Sequence, residues 1–300
     1  MKVNFNNLPA VSRANRSIGA ILMDAGLLSP EDAERILLLQ KEKNLRFGDA
    51  AIALGILTEA DIQFALSRQF SYPYLRSVDQ KKPVSTELIA AYQPFSPCVD
   101  QLRAIRSQLM MRWFDKTEQR QVLAVVGSAR GEGRSYLAAN LAVVFSQLGE
   151  RTLLIDADLR HPRQHEMFML DNGTGLSTVL SERSRDEAIV RITDLVGLFV
   201  LPAGPTPPNP LELLSRPLFD DFMTRMRSTF DVVILDTSSL SDGEDGAMVA
   251  IRAGAAIAVA QATQTRVADF NDLVQGLMNA GVSVVGSVLN EVVADEKPSK

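Results

Sequence analysis

A glycine-rich stretch and three aspartates are the residues of this chain best suited to chemistry. Residues 127–136 read GSARGEGRSY. A loop that cradles nucleotide phosphates has the form G-x-x-x-x-G-K followed by serine or threonine, with backbone N–H groups turned toward phosphate oxygens. Gly133 and Ser135 occupy two of those positions, whereas Ser128 replaces the first glycine and Arg134 replaces the lysine. Gly131, Glu132, Gly133, Arg134, Ser135 and Tyr136 are the candidate phosphate-binding residues, and Ser135 is a candidate Mg²⁺ ligand. Arginine stays cationic, but its planar fork is larger than an ammonium and not interchangeable with it. Asp156 and Asp158 end the apolar run LLIDADLR, and Asp236 ends DVVILDT. Carboxylates beside a core are costly unless paired or near a cation. Mg²⁺ with its waters is such a cation, which makes Asp156, Asp158 and Asp236 alike candidates for a site around a metal ion.

The elements that must position these groups follow from residue 121 onward. QVLAVVG, RTLLIDA, GLFVLPA, DVVILDT, AAIAVAQ and VSVVGSVLN are short, apolar and rich in β-branched residues. Helical patterns such as SYLAANLAVVFSQLG and ADFNDLVQGLMNAG separate them. Near-continuous apolar strands alternating with helices predict an α/β fold, a mostly parallel sheet covered on both faces. Such sheets bind ligands at the carboxyl ends of their strands, where the loop and the aspartates fall.

The chain has 300 residues, which suggests about two domains. Its formal net charge of −5 argues against a nucleic-acid partner. The single cysteine, Cys98, excludes an intrachain disulfide framework and fits a reducing cytoplasm. The first residues lack the apolar core of a signal peptide. AMVAIRAGAAIAVAQA, which carries Arg252, is too short and too charged for a membrane span.

The first 70 residues contain a duplication. Ser17–Gln40 aligns with Arg46–Gln69, matching Gly19 to Gly48, Gly26 to Gly55, Leu28 to Leu57 and Asp32 to Asp61. Ser29 and Thr58 read as N-caps, each with an aspartate three residues on. Pro30 suits a first helical position. Ile36, Leu37 and Leu39 are expected on a buried face. The predicted organisation is a helical repeat domain over 1–75, a proline-rich linker or wrapping segment over 76–97, and an α/β domain over 98–300. Within the last, VDQLRAIRSQLMMRWF predicts an amphipathic helix with Leu102, Ile105 and Leu109 on one side.

With the loop, LLIDADLRHPRQH, PAGPTPPNPLELL, DVVILDT and SVLN together, residues 98–291 resemble the bacterial tyrosine kinases. These are P-loop ATPases of the MinD/ParA-like class that accompany exopolysaccharide chain-length regulators. The resemblance is to the EpsG-type chain-length-determinant kinase, a separate soluble chain. It implies ATP and Mg²⁺ as cofactors, with Arg134 in the lysine role and Ser135 on the metal. It also implies Asp156 as the base that activates a tyrosine hydroxyl, Asp158 near Mg²⁺ or its waters, Asp236 holding Mg²⁺ through water, and Asn290 reading adenine. Arg160 is expected to aid phosphate or subunit contacts. Asp100, Arg103 and Arg106 resemble the family's E-x-x-R-x-x-R helix, which packs subunits into a ring. The implied partner is a membrane chain-length-determinant protein, a polysaccharide co-polymerase, holding the chain at the inner face of the membrane.

This chain departs from the family in three places. The tail VVADEKPSK has no tyrosines, and the four in the chain are Tyr72, Tyr74, Tyr92 and Tyr136. Thr237-Ser238-Ser239 stands where the family has Thr-Pro-Pro, and Arg134 where it has lysine. The tail and Arg134 favour a second reading, an ATP-driven assembly switch with little tyrosine transfer, while the matching aspartates and PPNPLELL keep the kinase ahead. A MinD/ParA-type positioning ATPase is disfavoured because Ala129 stands where those proteins carry a further lysine. The N-terminal repeat resembles the domain at the front of type II secretion and pilus ATPases, some of which bind cyclic di-GMP. Arg46-Phe47-Gly48 with Gln69 matches that pattern; Ser17-Ile18-Gly19 with Gln40 lacks the arginine unless Arg16 serves. His161 and His165, without a nearby cysteine, read as loop or packing residues.

Overall fold

The computed structural model describes residues 17–69, 75, 83–115 and 120–291. Four helices form the N-terminal unit: α1 (Ile18–Asp24), α2 (Pro30–Lys43), α3 (Phe47–Ala53) and α4 (Glu59–Gln69). The duplication is visible in its geometry. Ser29 Oγ accepts from the Asp32 N–H at 3.1 Å and Thr58 Oγ1 from the Asp61 N–H at 3.3 Å. The Asp61 carboxylate accepts in return from the Thr58 N–H, a capping box. Gly26 and Gly55, equivalent in the two copies, both have positive φ (68° and 66°) just after α1 and α3, where only glycine turns without strain. Leu22, Leu28, Ile36, Leu57 and Ile62 close a small core. The expected buried face of α2 is narrower than its sequence suggests. Ile36 is buried, but Leu37 is 53% exposed.

The remaining elements are α5 (Ile89–Tyr92), α6 (Pro97–Arg112), β1 (Val122–Gly127), α7 (Arg134–Gln147), β2 (Thr152–Asp156), α8 (Gln164–Met167), α9 (Leu176–Leu180), β3 (Val190–Arg191), β4 (Leu198–Leu201), α10 (Pro210–Leu214), α11 (Pro217–Thr229), β5 (Val232–Asp236), α12 (Asp245–Ala253), β6 (Ala255–Gln261), α13 (Val267–Asn279) and β7 (Ser283–Asn290). The seven strands order as β3-β4-β2-β5-β1-β6-β7. All six predicted strands are present and parallel; the two-residue β3, too short to show a pattern, adds an antiparallel edge. Alternate residues of β1 serve opposite cores. Val122, Ala124 and Val126 meet Phe219, Phe222, Val249 and Leu273 of α11, α12 and α13. Leu123 and Val125 meet α6 and α7. Both faces are thus sealed, which is why the strands read as unbroken apolar runs.

Residues 84–92 wrap the α/β unit instead of linking two bodies. Val84, Leu88, Ala90, Ala91 and Tyr92 are buried in the same core as β1 and α7. This irregular backbone would leave polar groups unmet, and α7 supplies the partners. Asn140 Oδ1 accepts from the Ala90 N–H, Asn140 Nδ2 donates to the Glu87 carbonyl, and Gln147 Nε2 donates to the Ala90 carbonyl. Residues 84–92 thus pack into the core of the α/β unit, in keeping with the wrapping alternative expected for this segment. Tyr92 packs here and donates its hydroxyl to the Val84 carbonyl at 2.7 Å. Tyr72 and Tyr74 lie outside the described residues.

Candidate active site

β1 ends at Gly127 and α7 begins at Arg134, so residues 128–133 form the turn between them. Gly131 and Gly133 have φ of 81° and 93°, a conformation that turns successive N–H groups to one side. A Cβ at Gly133 would run into the Asn290 amide and displace it from the Glu132 carbonyl. The start of α7 adds favourable potential for an anion.

Arg134 is buried, and its side chain folds inside the loop. Its Nε donates to the Thr237 carbonyl at 3.0 Å and its Nη1 to the Ala129 carbonyl. The Glu132 carboxylate lies 3.8 Å from the same Nη1. Nη2 has no protein acceptor among the described residues and is not sealed from solvent; it is the donor left for a phosphate. Glu132 itself is 2% exposed. Its carboxylate accepts from the Ser128 and Thr265 hydroxyls at 2.7 and 2.6 Å. Its side chain thus moulds the loop and ties it to the turn after β6.

The three aspartates converge because β2 and β5 are neighbours in register, with Asp156 opposite Asp236. Asp156 is fully buried. Its Oδ2 accepts from the Arg163 and Gln164 N–H groups at 3.0 and 2.9 Å, and its Oδ1 from the Asp158 N–H at 3.3 Å. Burial and the adjacent Asp236 charge push its pKa well above the carboxylate range. Asp158 Oδ1 accepts from the Arg160 and His161 N–H groups. Its other oxygen has no protein donor among the described residues and is not sealed from solvent. Of the pair, Asp158 is the carboxylate a substrate can reach. Asp156, the expected base, lies wholly buried under three N–H donors, whereas Asp158 keeps one oxygen without a protein donor among the described residues.

Asp236 is fully buried. Burial pushes its pKa up to about 6, opposed by the hydrogen bond from Gln164 and the nearby Ser135 hydroxyl. Its Oδ1 is buried and accepts from nothing. An orphaned carboxylate oxygen beside a hydroxyl and a second carboxylate fits a hard divalent cation, which takes oxygen ligands. Among the described residues no three His, Cys, Asp or Glu side chains group into a complete metal site. Such a cation would share its shell with water and phosphate.

Gln164 is the residue that sequence reasoning missed. It is fully buried at the start of α8. Its Nε2 donates to Asp236 Oδ2 at 2.8 Å and to the Ser135 carbonyl at 3.1 Å, while its N–H holds Asp156. One residue thus ties together the loop helix and both carboxylate strands, its side chain holding Ser135 and Asp236 and its backbone N–H holding Asp156. Nothing in RHPRQH announces this; only the meeting of three distant segments reveals it. Gln164→Met keeps the volume and removes the amide. Hydrogen bonds to charged groups contribute about 1.5–3 kcal/mol. The expected result is roughly tenfold or greater weakening of nucleotide binding with Mg²⁺, and little change without it, measured by fluorescence titration.

A cavity of about 550 Å³ adjoins the loop, lined by Gly133, Tyr136, Asn290 and residues of α6 including Cys98 and Gln101. Asn290 Nδ2 donates to the Glu132 carbonyl at 3.1 Å, so part of this side chain braces the loop. Burial and the Cys98 thiol hold the Tyr136 hydroxyl protonated.

No family model matches the chain. The putative tyrosine-protein kinase CapB of Staphylococcus aureus is 31% identical over 221 residues, 73% of this chain and 96% of that protein. The tyrosine-protein kinase YwqD of Bacillus subtilis is 34% identical over 203 residues, 68% of this chain and 85% of that protein. The chain belongs to the bacterial tyrosine kinases. The kinase domain of the Escherichia coli tyrosine kinase ETK superposes with a TM-score of 0.68 at 27% identity, covering 75% of this chain and 88% of that one. MinD of Pyrococcus horikoshii, solved with Mg-ADP, reaches a TM-score of 0.50 at 20% identity over 57% of this chain and 70% of that one. That likeness speaks for the fold of this kinase alone. No described helix of the kinase is long and apolar enough to cross a membrane.

Proposed function

We propose that this bacterial tyrosine kinase transfers the γ-phosphoryl group of ATP to tyrosine and thereby regulates exopolysaccharide chain length, polymerisation and export. The observation that carries the reading is the convergence of Asp156, Asp158 and Asp236 at the strand ends beside the loop of residues 128–133. In the transfer, the tyrosine oxygen bonds to the γ-phosphorus, the bond from that phosphorus to the ADP oxygen breaks, and the tyrosine proton passes to Asp158. Gly131–Ser135 and Arg134 Nη2 hold phosphate, and Asn290 and Tyr136 face the base. Mg²⁺ on Ser135 and Asp236 supplies charge neutralisation, the main requirement of phosphoryl transfer. Asp156 and Gln164 position these groups.

The partner in this reading is a membrane co-polymerase that brings the kinase to the cytoplasmic face. Ring assembly runs through α6. Asp100 and Arg103 pair on its surface at 2.9 Å, whereas Arg106 turns inward and donates to the Val144 carbonyl at 2.7 Å. Cyclic di-GMP at the N-terminal unit, through exposed Arg46, remains part of the proposal. The switch reading draws on the two bonds that hold Arg134 to loop and strand carbonyls and on the burial of Tyr92.

The test is incubation with radiolabelled ATP and Mg²⁺, followed by phosphotyrosine mapping, with Asp236→Asn as control. Label on tyrosine that disappears in the control is expected. ATP binding with no phosphotyrosine, even with the membrane partner added, would overturn the kinase reading in favour of the switch.

A further inference from the structure

Two clefts share one proline wall. The first, about 440 Å³, is lined by Arg130, Arg160, His161 and the segment Thr206–Pro208, and the backbone N–H groups of Arg160 and His161 donate to Asp158. Its cations are already engaged: Arg130 pairs with Asp242 at 2.7 Å, and Arg160 with the buried Asp245. The second cleft, about 270 Å³, lies across the same Thr206–Pro208 segment. Its lining includes Arg183 after α9, Asn209 before α10 and Arg216 before α11. None of these three side chains makes an ion pair or hydrogen bond among the described residues. The Thr206 hydroxyl also has no partner there. The N-terminal end of α11 adds positive potential. Donors without acceptors thus converge on one concave site, while Glu212 on the same lining keeps the excess of positive charge small.

We propose that this second cleft binds acidic side chains flanking the acceptor tyrosine, so that the kinase selects tyrosines in acidic segments. The inference rests on the kinase reading. The acceptor ring would enter the cleft beside Asp158, and the chain would cross Thr206–Pro208. One or two carboxylates would then meet Arg183, Arg216 and Asn209. The cleft is too small for a folded element and suits an extended peptide. Because its arginines are solvent-exposed, binding should depend on salt.

The test uses the full chain at low salt and two fluorescein-labelled peptides with phenylalanine at the acceptor position, one flanked by glutamates and one by glutamines. Binding is read by anisotropy and needs no phosphoryl transfer. With exposed pairs contributing little each, the glutamate peptide should bind ~3- to 10-fold more tightly. Arg183→Gln with Arg216→Gln should erase that preference, and Glu212→Gln should widen it. Equal binding of the two peptides, or a preference that survives the double substitution, would overturn the proposal. Tyrosine versions of both peptides with labelled ATP run alongside. Charge-selective binding without transfer, even with the membrane partner added, sinks the kinase reading and leaves the cleft standing, whereas transfer without charge preference does the reverse.

Discussion

Asp158→Asn is expected to lower phosphotyrosine formation by about 10²–10⁴-fold, the usual contribution of a positioned general base. The fold should be untouched. Asn Oδ1 can accept from the Arg160 and His161 N–H groups as the carboxylate does, and the amide nitrogen takes the place of the oxygen that is not sealed. The melting temperature should therefore stay near that of the parent. Asp156→Asn is expected to cost at least about tenfold less in rate, because an amide oxygen still accepts from the Arg163 and Gln164 N–H groups and only the 3.3 Å bond from the Asp158 N–H is lost, and a positioning role does not require the charge. Initial rates with saturating ATP, taken with thermal melts of both variants, decide the matter. A larger loss for Asp156→Asn than for Asp158→Asn would restore Asp156 as the base.

The second large effect is on stability and has a definite sign. Asp236 has its pKa raised from 3.8 to about 6 by burial, and Asp156 is shifted the same way by burial and by Asp236. Folding therefore favours the protonated forms. The stability this contributes is fully present below about pH 4 and is lost as pH rises through about 6. For Asp236 the swing is about 3 kcal/mol, because each tenfold change in an acid's ionisation constant corresponds to about 1.4 kcal/mol. Asp236→Asn removes that charge and keeps an acceptor for Gln164. Between pH 5 and 8, nucleotide-free parent protein should lose about 1.4 kcal/mol relative to the variant, or about 3–5 °C in melting temperature. The variant should be the more stable protein at pH 8 and catalytically dead, a trade common at sites that hold unpaired charge. Added Mg²⁺ and nucleotide should reverse the order by stabilising only the parent. Melts at pH 5, 6.5 and 8 check this, and parallel curves for parent and variant would refute it.

Local chemistry made much of the molecule legible in advance. Six strands, the helix after the loop, the repeat with its caps and the carboxylates at the strand ends follow from period, turn residues and the cost of charge beside a core. Those signals act between residues close in the chain, so a single sequence carries them. What tertiary structure decided are contacts between distant segments. Asn140 and Gln147 draw residues 84–92 into the core, where proline content alone left linker and wrapping segment open. Asp156, and not Asp158, lies sealed under the turn at Arg163 and Gln164. Arg134 turns into the loop because Ala129, Glu132 and Thr237 offer acceptors there. Gln164 gains its role only where α8 meets Ser135 and Asp236. In each case a buried polar atom took the nearest partner in space, and its neighbours in sequence do not say which atom that is.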